Sequence, residues 1–249
     1  EQGRQEEAVA QYRRVLAIAP GNSVASHLLA ALTGADSSCA PREYVVQLFD
    51  GIADTFDAHL LNNLRYSVPA ALVELLIECA GLPHREWDVL DLGCGTGLVG
   101  AAIAPSARRL VGVDLSSRMV AKSRQRGVYQ QVILADVLEM MRREPPGSFD
   151  VAAAADLFIY IGRLDGVLTE VKRLLRDGGL FGFSLERLDA PLDFQLLPTT
   201  RYAHSLEYVK RLAKEQGFRI HRAVSTELRL EQGKPVPGWL VVLGSGGGG

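Results

Sequence analysis

The sequence is short of the residues that would staple or metallate it. Its 249 residues hold only three cysteines, Cys39, Cys79 and Cys94, with no C-x-x-C spacing among them. That excludes a disulfide framework and a thiolate zinc site, and points to reduced thiols in a cytoplasmic protein. The five histidines, His27, His59, His84, His204 and His221, form no H-x-x-x-H pattern, so no metal is expected. Charge of one sign is lacking too. The chain sets 27 Lys and Arg against 29 Asp and Glu, a net charge of −2, without the basic footprint that nucleic acid requires. No apolar run approaches the roughly 18 residues of a membrane span, and no signal-peptide pattern opens the chain. Thr96 makes no P-loop, because the Gly-Lys-Ser/Thr of that motif is missing.

What is present is a large apolar fraction, 47% of residues, enough for one domain with a substantial core and a small appendage. The pattern is organised around residues 87–100, W-D-V-L-D-L-G-C-G-T-G-L-V-G. A short apolar run ends in Gly93, Gly95 and Gly97, and a small-residue helical stretch follows. This reads as strand, tight turn, helix. Glycines allow positive φ and close approach of a ligand to the backbone. The helix N-terminus behind them offers free N–H groups and partial positive charge. Such a turn suits a carboxylate, a ribose edge or a phosphate.

Gly95-Thr96-Gly97-Leu98-Val99-Gly100 also fits the dinucleotide fingerprint G-x-G-x-x-G. Asp91 weighs against that ligand. A carboxylate at a buried strand end needs a partner; a pyrophosphate would repel it, whereas the ammonium of an amino-acid ligand would pair with it. Here the chain resembles the class I S-adenosylmethionine (SAM) methyltransferases, whose first motif runs D/E-x-G-x-G-x-G. Asp91, Gly93, Gly95 and Gly97 occupy its four specified positions, with Cys94 between the first two glycines. A nicotinamide dinucleotide and a ligand-free structural turn remain the alternatives.

The rest of the chain extends the pattern. Residues 109–114 form a second apolar strand ending in Asp114, about twenty residues past the glycines, the distance at which an acid reaches ribose hydroxyls. A helix cap is its other role. Leu115 and Met119 would line an adenosine pocket. Residues 131–136 end in Asp136, which in the family borders the adenine and which could equally cap the helix beginning at Val137. Residues 149–156 end in Asp156, and Asp156 to Gly162 resembles the family's fourth motif, where acceptor and methyl meet. A fifth strand covers 180–185. Five strands with intervening helices predict a parallel, doubly wound sheet whose ligand sits at the carboxyl ends. Residues 187–200 read as a long loop, 204–216 as a helix, and 218–230 and 239–243 as strands joined by a short antiparallel connection. The resemblance therefore implies a Rossmann-like, mostly parallel seven-stranded sheet with an antiparallel last strand.

Ahead of the sheet, residues 3–20 and 23–32 predict two helices. Ala8, Tyr12 and Pro20 resemble the second helix of a tetratricopeptide repeat, and the whole arrangement resembles bacterial methyltransferases that carry such repeats. The reading divides the chain into a repeat-like remnant over 1–36, a helical cap over 37–84, the SAM-binding domain over 85–243 and a flexible Gly/Ser tail over 244–249. The cap segment, Phe49 to Asp57, resembles a family stretch that covers the cofactor; an ordinary amphipathic helix is the plain alternative. Arg65 could clamp the SAM carboxylate or be a solvated charge.

Methyl transfer from a sulfonium needs alignment, and a hydroxyl or amine acceptor must lose a proton to a base. His204, on the loop after the fifth strand, is the candidate base and His59 the second, against the ordinary structural role of a lone histidine. Tyr160 and Tyr202 could orient the acceptor, and Arg201 could bind an acidic one. The expected activity is SAM-dependent methylation of a small-molecule hydroxyl, amine or carboxylate, leaving S-adenosylhomocysteine. A peptide acceptor docked through the helical repeat and a non-catalytic SAM-binding scaffold are the rivals.

Overall fold

The structure is a computed structural model and describes residues 2–58, 66–81 and 86–246. His59, Arg65 and His84 lie outside the described residues.

Strand β1, Trp87–Leu92, is buried on both faces, so its sequence is apolar without alternation. Its side chains alternate in space nonetheless. Leu90 and Leu92 join the core on one face of the sheet, with Phe149, Phe181 and Phe183, while Val89 joins Val151 and Leu180 on the other. Asp91 shares the face of Val89. Four further strands run parallel to β1: β2 (Ala107–Asp114), β3 (Gln131–Leu134), β4 (Phe149–Ala154) and β5 (Leu175–Arg187), in the order β3-β2-β1-β4-β5. Helices α5 (Val68–Ala80) and α6 (Leu98–Ile103) cover the Val89 face. Helices α8 (Val137–Arg143), α9 (Asp165–Leu174) and α10 (Leu206–Glu215) cover the other, and α7 (Ser117–Arg126) follows β2. The chain closes with a long hairpin, β8 (Phe218–Glu231) and β9 (Lys234–Ser245), in which β9 pairs antiparallel to both β5 and β8. This is the expected Rossmann-like sheet with its reversed last strand.

The strand count differs. Among the described residues nine strands form the sheet, because the stretch expected to be a loop contains a small antiparallel hairpin, β6 (Phe194–Leu196) and β7 (Tyr202–His204), whose β7 pairs parallel with Glu186 and Arg187 at the end of β5. His204 consequently ends a strand rather than opening a helix; Ser205 caps α10 instead, accepting from Tyr208 N–H. The expected tail starts too early as well. Gly244 and Ser245 pair with Arg219 and Phe218, and Lys172 Nζ donates to Ser245 Oγ at 2.8 Å. Composition alone reads these residues as linker; the register of β8 captures them.

The N-terminal helices α1 (Gln2–Ile18) and α2 (Ser23–Thr33) run antiparallel, tied by Gln5 Nε2 to the Leu32 carbonyl. α2 packs Ala30 and Ala31 onto Leu196 and Tyr202 of the small hairpin. The following linker is not free. Ala40 N–H donates to the Tyr160 carbonyl, and Gly162 and Arg163 both donate to the Ser38 carbonyl. Helix α3 (Arg42–Ile52) and the single turn α4 (Phe56–Ala58) then cross the carboxyl ends of the first strands. Among the described residues no helix is long and apolar enough to cross a membrane.

Candidate functional site

The turn after β1 takes the form its glycines allow. Gly93, Gly95 and Gly97 have φ of 66°, 52° and 90°, a region in which a side chain is strained. A Cβ on Gly93 would stand 3.0 Å from Leu157, so the start of the 156–160 segment lies directly against the turn. Among the described residues a Cβ on Gly95 would meet only the Phe56 ring, at 4.0 Å, so the peptide lies beneath that aromatic with room to spare. Cys94 turns its thiol away, into a cluster with Val120, Val132 and Tyr129, where burial raises its pKa.

Asp114 ends β2 beside this turn. Its Oδ2 accepts from Gly95 N–H at 2.9 Å and its Oδ1 from Ser116 N–H at 2.8 Å. Ser116 is the residue that caps α7, through Met119 N–H, so the helix-cap role considered for Asp114 is already filled. Asp114 is half-buried, and each of its oxygens keeps a second lone pair. Burial raises its pKa while the Ser116, Gly95 and Leu115 amides oppose the shift.

Asp91 is sealed below the turn, 1% exposed. Its Oδ2 accepts from Tyr129 O–H at 2.6 Å, and its Oδ1 has no hydrogen-bond partner among the described residues. Burial raises its pKa to about 7; the Tyr129 phenol opposes the shift, Asp114 adds to it, and the nearby Gly100 N–H opposes it. Tyr129 carries no sequence signal. Its ring fills the space that three separate glycines leave: a Cβ on Gly97 or Gly112 would stand 2.9 Å from it, and one on Gly100 would overlap its hydroxyl.

Above the turn sits the cap, fastened by acids. Asp50 accepts from Ser116 Oγ at 2.5 Å, and Arg118 bridges the Asp50 carbonyl and the Asp54 carboxylate. Asp57 accepts from Thr96 Oγ1 at 2.5 Å and from Arg126 Nη2 at 2.6 Å, while Arg126 Nε holds the Thr96 carbonyl at 2.7 Å. Phe56 packs edge-on to Phe49 at 5.8 Å, and Phe49 edge-on to Tyr160 at 5.4 Å. An aromatic line thus runs from Gly95 to the end of β4.

Past β4, Asp156 adopts φ of 51°, rare for a residue with a side chain. Ser184 Oγ accepts from its amide at 2.8 Å and donates to its Oδ1 at 3.0 Å. Arg229, delivered by β8, donates to Asp156 Oδ2 at 3.2 Å and to Glu186. The Arg229 side chain is only 4% exposed, whereas that of Asp156 keeps 18%. Tyr160 is buried, its pKa pushed up to about 12 by burial, and its phenol lies within the field of Arg201, Asp156 and Arg229. Arg201 is paired with Glu231 at 2.8 Å.

Other expected residues take packing positions. His204 is fully buried, its Nε2 3.0 Å from both the Ile161 and Gly162 carbonyls, and its ring stacks on Tyr208. Two carbonyl acceptors put the proton on Nε2, leaving Nδ1 as the lone pair, buried and without a partner. Burial pushes its pKa down to about 4. This corrects the expectation of a base: the lone pair faces protein, not a cleft. Tyr202 is likewise buried, donating to Ser37 Oγ at 2.7 Å, with its pKa raised to about 12 by burial. Met119 and Val137 are buried, and only Leu115 keeps partial exposure. Asp136 caps α8 through Leu138 and Glu139 N–H, at 2.9 and 3.1 Å, which realises the capping alternative.

The turn and the acid at the end of β2 fall within a stretch that matches a known family model. Residues 90–183 match the family model described as Methyltransferase domain. Over these residues the chain is similar to that family. The chain is 30% identical over 128 residues to the ubiquinone biosynthesis O-methyltransferase of Pseudomonas aeruginosa strain UCBPP-PA14, covering 49% of this chain and 50% of that one. It therefore spans about half the length of the curated relatives it matches. Its fold is similar to that of the Burkholderia thailandensis 1,6-didemethyltoxoflavin-N1-methyltransferase, a structure with S-adenosylhomocysteine bound. That superposition has a TM-score of 0.63 and 18% identity over 85% of this chain and 93% of that one. The cyclase SpnF shares the fold at a TM-score of 0.66 and 18% identity, over 85% of this chain and 98% of that one.

Proposed function

We propose that this chain transfers a methyl group from SAM to an oxygen or nitrogen of a small molecule. The observation that carries the reading is Asp114. It is locked against the glycine turn by Gly95 and Ser116 yet keeps free acceptor capacity, as a vicinal diol requires. The fit extends to the neighbouring groups. Gly95 leaves its peptide open under Phe56, and Asp91 keeps one buried oxygen without a partner.

In this reading Asp114 holds the ribose, the turn backbone faces the amino-acid end, and Phe56 and Phe49 close the site against water. The cofactor supplies an electrophilic methyl carbon. The chain's own work is placement, an effect that can reach about 7–11 kcal/mol. On the acceptor side, Asp156 and Tyr160 are polar groups that follow directly after β4. Ser184 and Arg229 hold Asp156, so that its carboxylate can accept a hydrogen bond from an acceptor O–H or N–H and orient it. The capture of α2 by the small hairpin favours a small-molecule acceptor over a docked peptide.

Isothermal titration with S-adenosylhomocysteine and, separately, NADH tests the cofactor. A saturable complex with the first and none with the second is expected; the reverse would return the glycine turn to the dinucleotide reading. A turnover assay with methyl-labelled SAM and panels of phenols, amines and carboxylic acids then tests transfer itself.

A further inference from the structure

Tyr129 contributes to no motif, yet it is the contact around which the underside of the turn is built. Its ring stands where Gly97, Gly100 and Gly112 have no side chains, joining the turn, α6 and β2. Its hydroxyl donates to Asp91 Oδ2 at 2.6 Å. The groups around Asp91 are few: Tyr129 from the loop before β3, Asp114 from β2, the Gly100 N–H of α6, the Cys94 thiol on the turn and the Tyr66 phenol ahead of α5. None is a cation. A negative charge on Asp91 therefore depends on the Tyr129 proton and on whatever positive charge arrives above the turn.

We propose that Tyr129 is a positioning residue for the amino-acid end of the cofactor, holding the Asp91 carboxylate beneath the glycine turn as the counter-charge to an ammonium group. The inference rests on the SAM reading. An ammonium above the turn interacts with Asp91 through a dry, low-dielectric layer, so it binds more tightly when the acid is ionised. Linkage then makes headgroup binding strengthen as pH rises through the titration of Asp91. That titration lies near neutrality, where burial places it. A ligand without the ammonium gains nothing.

The test is titration calorimetry between pH 6 and 8 with two probes, S-adenosylhomocysteine and 5′-methylthioadenosine, which lacks the amino-acid end. In the wild-type protein the affinity for the first should rise across this range and the affinity for the second should stay flat. Tyr129→Phe keeps the ring and removes the proton donor. Its rise should move upward by about one pH unit, weakening S-adenosylhomocysteine about fivefold at pH 7, with 5′-methylthioadenosine unchanged. Equal weakening of both probes would mean that the phenol only supports the fold, and unchanged profiles would mean that it does not act on Asp91; either overturns the proposal. Failure of the wild-type protein to bind either probe would instead remove the SAM reading and this inference with it. Should Tyr129→Phe fail to fold, Asp91→Asn serves in its place. Its affinity for S-adenosylhomocysteine should lose the pH dependence, and retention of the wild-type profile would overturn the proposal.

Discussion

At the scale of single residues, two acceptor groups and one imidazole yield separate predictions. Asp114 is already fixed by two backbone amides, so replacing it with alanine removes a preorganised pair of acceptors without opening a cavity in the core. Hydrogen bonds to a charged group contribute about 1.5–3 kcal/mol. Asp114→Ala should therefore weaken S-adenosylhomocysteine by about 10- to 100-fold in calorimetry, and an unchanged constant would detach Asp114 from the ribose. His204 makes the opposite kind of prediction, about stability. Its pKa in the folded chain is about 4, below the ordinary 6.5, because burial disfavours the imidazolium. The unfolded state then binds the extra proton first. The contribution is complete above about pH 6.5 and is lost as pH falls toward 4, on the order of 3 kcal/mol in all. His204→Asn, compared with wild type by urea denaturation at pH 8 and pH 5, should be less stable at pH 8 and show a smaller drop between the two. An equal drop would mean that the imidazole titrates in the fold.

At the scale of elements, the cap and its latch matter most. α3 and α4 are held to α7 and the turn through Asp50, Asp54 and Asp57, and most of these pairs are solvent-exposed. Exposed pairs contribute about 0.2–1 kcal/mol each and weaken with salt. Arg126→Ala breaks the bonds to Asp57 and to the Thr96 carbonyl together. Amide exchange over 46–58 should then accelerate severalfold while exchange in β1 and β4 stays slow; uniform acceleration would mean that the variant loosens the whole sheet. The elements also mark how far local sequence reaches. The strand, glycine turn and acid at the end of β2 were legible because their chemistry is set within some thirty residues of chain. Helix α8 and the cap at Asp136 were legible for the same reason, as competing local roles. The hairpin β6–β7 was not, since its strands are three residues each and exist by pairing with the end of β5 and receiving α2. The burial of His204 follows from that hairpin, so sequence offered a base where the fold has a core histidine. Tyr129 was invisible because the vacancy it fills is shared by glycines from three different elements.

At the scale of the whole molecule, the C-terminal hairpin returns to the middle of the chain. β8 sends Arg229 into a buried contact with Glu186 of β5 and Asp156 after β4, so the last thirty residues reach back to the segment that follows β4. Removing the cation alone strands two carboxylates, at a cost of about 3–5 kcal/mol, whereas replacing a buried pair by apolar groups is often near neutral. Arg229→Met should lower the melting temperature markedly, and the Arg229→Met, Glu186→Leu double variant should recover part of it. A double variant no better than the single would place the penalty on packing. The double variant should still turn over more slowly, because Asp156 keeps the Ser184 contacts but loses the one to Arg229.

The buried pair Asp91 and His204 has one more consequence. On folding near pH 5.5 the first takes a proton from solvent and the second gives one up, since their pKa values move past each other to about 7 and about 4. The two transfers cancel, and their combined heat of unfolding there is independent of the ionisation enthalpy of the buffer.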